Sequence, residues 1–439
     1  MTDSSPRLDA ASPQRVAALD ALRGLTILWV TILHFAADTA GLPGADVGPG
    51  RLLAAVLDGH LLTAATDAVR GALLLPGYRL DVLLFVTGLV LGLGRARPAR
   101  ALLSHRARAI LPGYWLGTLL VTLVLVVCAG LRTLLGAGPV LEELHAGARL
   151  ARLPFEFLPW HVPLGMTVLG RFVDPSTVQV VSPSLWYIAL VAQFYLAYVP
   201  MRWLMERVGT PGFLVICTTI MLALRAAVID GMPVGTFDQT AALAAFLPFR
   251  LLSPALGMAM APWFRANGER LQRRWSSSSN VPVGVALLLL AGWIGSTLIP
   301  PADLFVIAGP SVAVLPAVAG LWMVAAWSLA RPPAGRFLTW VGQVSLGLLV
   351  MQDVLRFAVG TAQSLGAPVH EWLWPLMPVY VALALWLTHV WTPLVNRVTD
   401  SWWPRSGVPV AASPHRVSAG VVADDQPLRA RSATSSLAS

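Results

Sequence analysis

Long apolar runs separated by short polar or arginine-bearing linkers make up most of this chain. A bilayer core of about 30 Å needs roughly 20 largely apolar helical residues per crossing. Ten segments have that character, at approximately 22–38, 80–94, 109–131, 184–201, 212–229, 241–262, 282–299, 304–330, 337–358 and 372–395. The second is short by this criterion and is expected to extend into its flanks. Leu52–Leu75 is also apolar, but Asp58, His60, Asp67 and Arg70 interrupt it, and it reads as a helix lying in the interface. The pattern predicts an all-α fold: a polytopic integral membrane bundle of about ten transmembrane helices. Residues 1–21 form a short segment before it, 22–395 the membrane domain, and 396–439 a tail rich in Ser, Ala, Pro and Arg that is expected to be largely disordered. The first run is followed by many others and reads as a retained span rather than a cleaved signal peptide.

Composition agrees with that pattern. Of the 439 residues, 56% are hydrophobic and 12% charged, against about a quarter charged in soluble domains. The net charge of +9 does not point to nucleic acid, because all 31 basic residues are Arg and sit in short clusters between apolar runs. Cys128 and Cys217 lie inside apolar runs and read as small buried hydrophobes rather than a disulfide or metal pair. The histidines are scattered without metal-ligand spacing, so no metal is implied.

Arginine distribution sets the orientation. With ten spans, 21 of the 31 arginines fall on the side that holds the N-terminus, seven on the other and three within spans. Both termini are therefore expected in the cytoplasm of a bacterial-type plasma membrane. Two connections on the other side are long, 39–79 and 132–183, and long connections are where function concentrates. The second carries Glu142, Glu143, Glu156, Trp160 and His161. Most of the 17 tryptophans fit interfacial anchoring, as Trp402 and Trp403 do at the last exit.

Ionisable groups inside spans are costly and raise functional hypotheses by default. In the first span, Arg23 precedes His34 by eleven residues, close to three turns, so the two share a face roughly 16 Å apart along the axis. Asp38 joins that face four residues later. A cation at the inner end suits an anionic phosphate or pantetheine-bearing ligand, and an imidazole at membrane depth suits proton removal from a hydroxyl. Asp38 would then fix the tautomer of His34. The plainer alternative is that Arg23 obeys the charge rule for orientation and His34 bonds a neighbouring helix. Arg225, Arg250, Asp353 and Arg356 also lie within spans. The last two are three residues apart and read first as a simple pair, and Asp81 as a polar helix start.

The stretch Arg15-Val-Ala-Ala-Leu-Asp-Ala-Leu-Arg-Gly-Leu-Thr-Ile-Leu, continuing to His34, resembles the opening of the acyltransferase-3 family of membrane acyltransferases, with its Arg, ten residues, His motif. Further similarities follow in order. They are Leu80 to Gly88 in the second span, Arg106 to Tyr114-Trp115 leading into the third, Pro183-Ser184-Leu185-Trp186-Tyr187 with Gln193-Phe194-Tyr195-Leu196, and Gly342-Gln343-Val344-Ser345-Leu346-Gly347. Together they cover residues 15 to about 395. The chain departs from the family's Arg-x-x-Arg pair, having Arg106 with Ala109 and, one residue off, Arg108. It has Leu190, Val191 and Ala192 where many members carry acids, and Gln352 followed by Asp353 where many carry a late His.

The resemblance implies an O-acyltransferase that moves an acyl group, acetyl in the simplest case, from acyl-CoA to a hydroxyl of a carbohydrate or glycosylated metabolite such as a surface polysaccharide. Acyl-CoA is then a donor substrate, and no prosthetic group is implied. Under it His34 is the general base with Asp38 beside it. Arg23, Arg106 and Arg108 are candidates for the donor, and Gln193, Tyr195 and Gln352 for further substrate contacts. A transporter or flippase of a glycan or lipid-linked substrate is the rival from another class, since it too needs charges at mid-membrane. A non-catalytic relative is the third.

Overall fold

The computed structural model describes residues 13–40, 58–59, 78–94, 98–136, 184, 186–231, 246–297, 303–369 and 371–403. Regular structure among them is entirely helical. Ten α-helices follow in order: α1 Pro13–Ala40, α2 Tyr78–Leu93, α3 Ala99–Leu134, α4 Trp186–Gly231, α5 Leu252–Trp275, α6 Val281–Thr297, α7 Asp303–Leu329, α8 Pro332–Gln343, α9 Ser345–Ser364 and α10 Leu373–Trp402. Single 3-10 turns at Leu247–Arg250 and Ser278–Asn280 lead into α5 and α6. Almost all of the expected interfacial segment Leu52–Leu75, the Glu142–His161 region of the long connection and the tail after Trp403 lie outside the described residues.

Among the described residues, five helices are long and apolar enough to cross a membrane: α1, α3, α4, α9 and α10. Their outward faces identify the solvent. On α3, Leu119, Leu123, Val126 and Leu134 recur at helical spacing and are exposed. On α10, Val379, Leu383, Trp386, Val390 and Leu394 form a second such stripe. Continuous apolar faces of this length do not persist in water, and they are what a helix presents to hydrocarbon. Hydroxyls on these helices are satisfied within them: Thr118 and Thr388 donate to the carbonyls of Tyr114 and Ala384, four residues back.

The first helix is the axis of the bundle. It packs against α2, α5, α7, α8, α9 and α10, and Ala21, Leu22, Thr26 and Thr31 on it are fully buried. Lipid tails are as apolar as leucine, so close backbone approach rather than hydrophobicity draws such helices together. The tightest approach joins α1 to α8, which runs beside it in the opposite sense. A Cβ on Gly342 would fall on the carbonyl oxygen of Asp20, and one on Gly24 on that of Leu338. Similarly, Gly88 of α2 and Gly257 of α5 each meet the other helix's backbone, at Pro254 and Phe85.

Three of the expected spans differ in detail from the sequence expectation. The apolar stretch 337–358 is not one rod, because it breaks at Val344 into α8, too short to cross, and α9. The spans expected at 184–201 and 212–229 both fall in α4, whose two arms meet at Gly209 (φ 72°, ψ 168°), with Pro211 just beyond. A positive φ there favours glycine, and the proline starts the second arm without needing a backbone N–H.

Candidate active site

His34 sits on α1 three turns beyond Arg23, where α9 and the start of α4 converge. Its Nδ1 lies 3.3 Å from Ser184 Oγ. Ser184 is two residues ahead of α4 and is itself buried. Its hydroxyl donates to Asp353 Oδ1 at 2.5 Å and its backbone N–H to Asp353 Oδ2 at 3.0 Å. One carboxylate therefore holds both polar hydrogens of this serine.

Two further donors from α9 reach the same serine oxygen: Gln352 Nε2 at 3.1 Å and Arg356 Nη1 at 3.4 Å. Arg356 Nη1 is also 3.5 Å from Asp353 Oδ1, the i,i+3 pair that the spacing suggested. Asp353 and Gln352 are fully buried, and charge at that depth is tolerable only because it is paired and hydrogen-bonded. Tyr380 of α10 donates to the Gln352 carbonyl at 2.9 Å and stacks on Phe35, the residue after His34, at 4.4 Å. Ser184, which faces the imidazole, is thus held from α9, and Tyr380 ties α10 to both α9 and α1.

The Ser184 hydrogen belongs to the 2.5 Å bond with Asp353, so the serine presents lone pairs to its other neighbours. The tautomer of neutral His34 that carries its hydrogen on Nδ1 can donate to that serine oxygen, which makes Nε2 its basic nitrogen. That tautomer can accept a proton at Nε2, with the charge then supported through Ser184 by Asp353.

A second polar centre lies between α2, α4 and α5. Asp81 is fully buried, pairs with Arg250 Nη1 at 2.5 Å and accepts from Ser253 Oγ at 2.7 Å. Arg225 Nε donates to the Phe249 carbonyl at 2.6 Å, and Gln193 Oε1 accepts the Leu247 N–H at 3.0 Å. These bonds satisfy the start of the 3-10 turn inside the bundle.

At the Arg23 end, a pocket of about 200 Å³ opens between α2, α3 and α4, lined by Leu91, Gly94, His105, Arg106 and Tyr198 among others. The Arg106 guanidinium stands 5.2 Å over the Tyr195 ring, and its buried Nε has no hydrogen-bond partner among the described residues. Arg23 itself pairs with Asp20 at 3.6 Å. Among the described residues no three His, Cys, Asp or Glu side chains gather as a metal site would require.

A family model for an acyltransferase domain matches residues 16–394, from the start of α1 almost to the end of α10. The chain belongs to the acyltransferase-3 family. It is an enzyme that transfers groups other than amino-acyl groups, carried in a helical membrane bundle. No curated protein and no solved structure matches the chain.

In this acyltransferase, the residues singled out from sequence do not form one cluster. Gln352 joins His34 through Ser184, and Arg106 stacks on Tyr195. Arg108 turns instead to Asp400 at the end of α10, 3.5 Å away. Gln193 is engaged by the backbone of Leu247. The backbone of Asp38 continues α1, and its side chain is outside the described ones. Sequence reasoning gave Ser184 no role and ranked Asp353 and Arg356 below Asp38. The available signal was a carboxylate and a guanidinium one turn apart inside an apolar helix, together with a serine just ahead of Leu185-Trp186-Tyr187. Neither reveals its partner until α1, α4 and α9 are packed.

Proposed function

We propose that this acyltransferase moves an acyl group, acetyl in the simplest case, from acyl-CoA to a hydroxyl of a carbohydrate or glycosylated metabolite. The observation that carries this reading is the bonded line from His34 Nδ1 through Ser184 Oγ to Asp353. The acceptor hydroxyl gives its proton to His34 Nε2 while its oxygen attacks the thioester carbonyl. The tetrahedral intermediate then collapses, the carbon–sulfur bond breaks, and the departing thiolate takes the proton from the imidazolium. Asp353 stabilises that imidazolium through Ser184, a role the sequence had suggested for Asp38. Gln352 Oε1, buried and without a hydrogen-bond partner among the described residues, is an acceptor for a second hydroxyl of the incoming sugar.

Donor recognition is assigned to the Arg23 end. Arg106 and His105 line the pocket there, and a guanidinium with an uncommitted Nε suits a phosphate oxygen. Arg23 contributes positive charge at the same end of α1, which also carries Leu22 in the apolar cluster it shares with Leu89 and Leu93. From that end a pantetheine arm would have to reach about three helical turns along α1 to bring its thioester to His34.

Purified protein in lipid vesicles, supplied with acetyl-CoA and a panel of sugars and glycosides, tests the assignment by thiol release and product mass. Acyl transfer that disappears in His34→Ala and weakens through donor KM in Arg106→Gln supports it. Transfer that persists in His34→Ala removes the proposed base, and movement of the glycan across the vesicle without acylation favours transport.

A further inference from the structure

Outside the catalytic cluster, a groove of about 110 Å³ runs between α1, α2, α5 and α7 at the Arg23 end. Its walls are almost wholly apolar, with Leu22, Phe85, Met260, Trp263, Trp275 and Trp322 among them. One of the lining residues carries an unpartnered polar atom. Trp322 is 4% exposed, and its indole Nε1 has no hydrogen-bond partner among the described residues. A buried indole N–H ordinarily finds an acceptor, and a hydrocarbon chain alone offers none.

The rim supplies a second, independent feature. Trp263, Arg270 and Arg274 on α5 are spaced seven and four residues apart, so they fall within about 20° of one another's mean direction on the helix surface, and all three are exposed. Leu271 and Trp275, neighbours of the two arginines, line the groove itself. Of the four arginines that follow Trp263 along α5, these two share its face, so the order on that face is an exposed tryptophan, then two guanidiniums. That sequence of groups matches the boundary of a leaflet, with Trp at the level of the glycerol esters and Arg at the level of the phosphate.

The spacings fit one molecule. Phe264 meets Trp322 edge to face with ring centroids 4.7 Å apart, which puts the indole at the level of residue 264. Arg270 lies six residues on, about 9 Å along the axis. An ester carbonyl at Trp322 and a phosphate within reach of Arg270 and Arg274 are separated by a similar length in a glycerophospholipid.

We propose that this groove is a binding site for one anionic phospholipid: an acyl chain lies between α2, α5 and α7, an ester carbonyl accepts from Trp322 Nε1, and the phosphate headgroup is held by Arg270 and Arg274. The site is separate from His34 and from the Arg106 pocket, and it does not depend on the acyl-transfer reading.

Native mass spectrometry of the full-length protein, delipidated in detergent and titrated with phosphatidylglycerol or phosphatidylcholine, tests it. The wild type binds one phosphatidylglycerol in preference to phosphatidylcholine. Arg270→Gln with Arg274→Gln abolishes most of that preference, at roughly fivefold for each arginine. Trp322→Phe, which keeps the ring and removes the N–H, weakens retention of both lipids several-fold, as does filling the groove with Ala319→Leu. Equal retention of the two lipids by the wild type overturns the proposal, as does retention that none of these variants changes. Displacement of the bound lipid by an acyl-CoA would also overturn it, by giving the groove to the donor. If Ala319→Leu fails to fold, the arginine and Trp322 variants still decide the outcome.

Discussion

Replacing Asp353 by Asn removes a charge while keeping the size of the side chain, and so isolates what the carboxylate contributes to His34. The path from His34 Nδ1 through Ser184 Oγ to the carboxylate has legs of 3.3 and 2.5 Å, so the charges that face each other once His34 is protonated are within about 6 Å. At an effective dielectric of about 20, a unit pair at that separation is worth about 3 kcal/mol, reduced toward 2 by Arg356 at the same oxygen. At about 1.4 kcal/mol per tenfold, kcat falls by about 30- to 150-fold. The donor KM stays within about twofold, because Arg106 and Arg23 are unaltered. Thioester cleavage with a saturating acceptor, by wild type and variant in the same vesicles, measures this. Asp353→Asn also leaves Arg356 without its carboxylate, so thermal unfolding is followed alongside and the kinetics are run well below the variant's midpoint. Asp353→Glu, which retains the charge, recovers part of kcat. A kcat within threefold of wild type for a folded Asn variant would refute the electrostatic argument. An effect that falls on donor KM instead would assign Asp353 to binding.

Ser184→Ala breaks the connection between His34 and Asp353 and leaves the carboxylate without its hydroxyl donor; kcat drops by about 10- to 100-fold, read in the same assay. Gly342→Ala drives a methyl group into the Asp20 carbonyl and separates α1 from α8, costing about 1–3 kcal/mol, seen as a lowered unfolding midpoint in detergent. Asp81→Ala leaves Arg250 buried with its ion-pair partner removed and costs about 3–5 kcal/mol. Adding Arg250→Leu recovers part of that loss, which a yield and melting comparison of the single and double variants checks. Arg106→Gln raises the donor KM about tenfold with little change in kcat, and an unchanged KM would remove Arg106 from donor recognition.

The all-helical membrane class was legible because it depends on local quantities. Twenty apolar residues cross a bilayer whatever their neighbours are, and α1, α3 and α10 lie where the apolar runs put them. The family was legible too, since its motifs are read in chain order and the match spans 16–394. The Arg23-to-His34 register on α1 followed from helical periodicity alone. Local pattern failed where apolar character continued through a change of direction. Nothing apolar marks Val344 as a break, and α8 turns there because Gly24 and Gly342 let it lie against α1.

The placing of Ser184 and Asp353 beside His34 was beyond the sequence for a related reason. Asp38 is four residues away along the helix and was the nearest acid by periodicity. Asp353 is more than three hundred residues away and reaches His34 through Ser184, held at the head of a different helix. Periodicity fixes what shares a face of one helix, and so determined that an imidazole and a guanidinium would be aligned in the first span. Which charges meet inside the bundle is decided by how α1, α4 and α9 cross. In a lipid solvent those crossings are set by small residues and polar contacts at a few points, which carry little signal along the chain until the helices are packed.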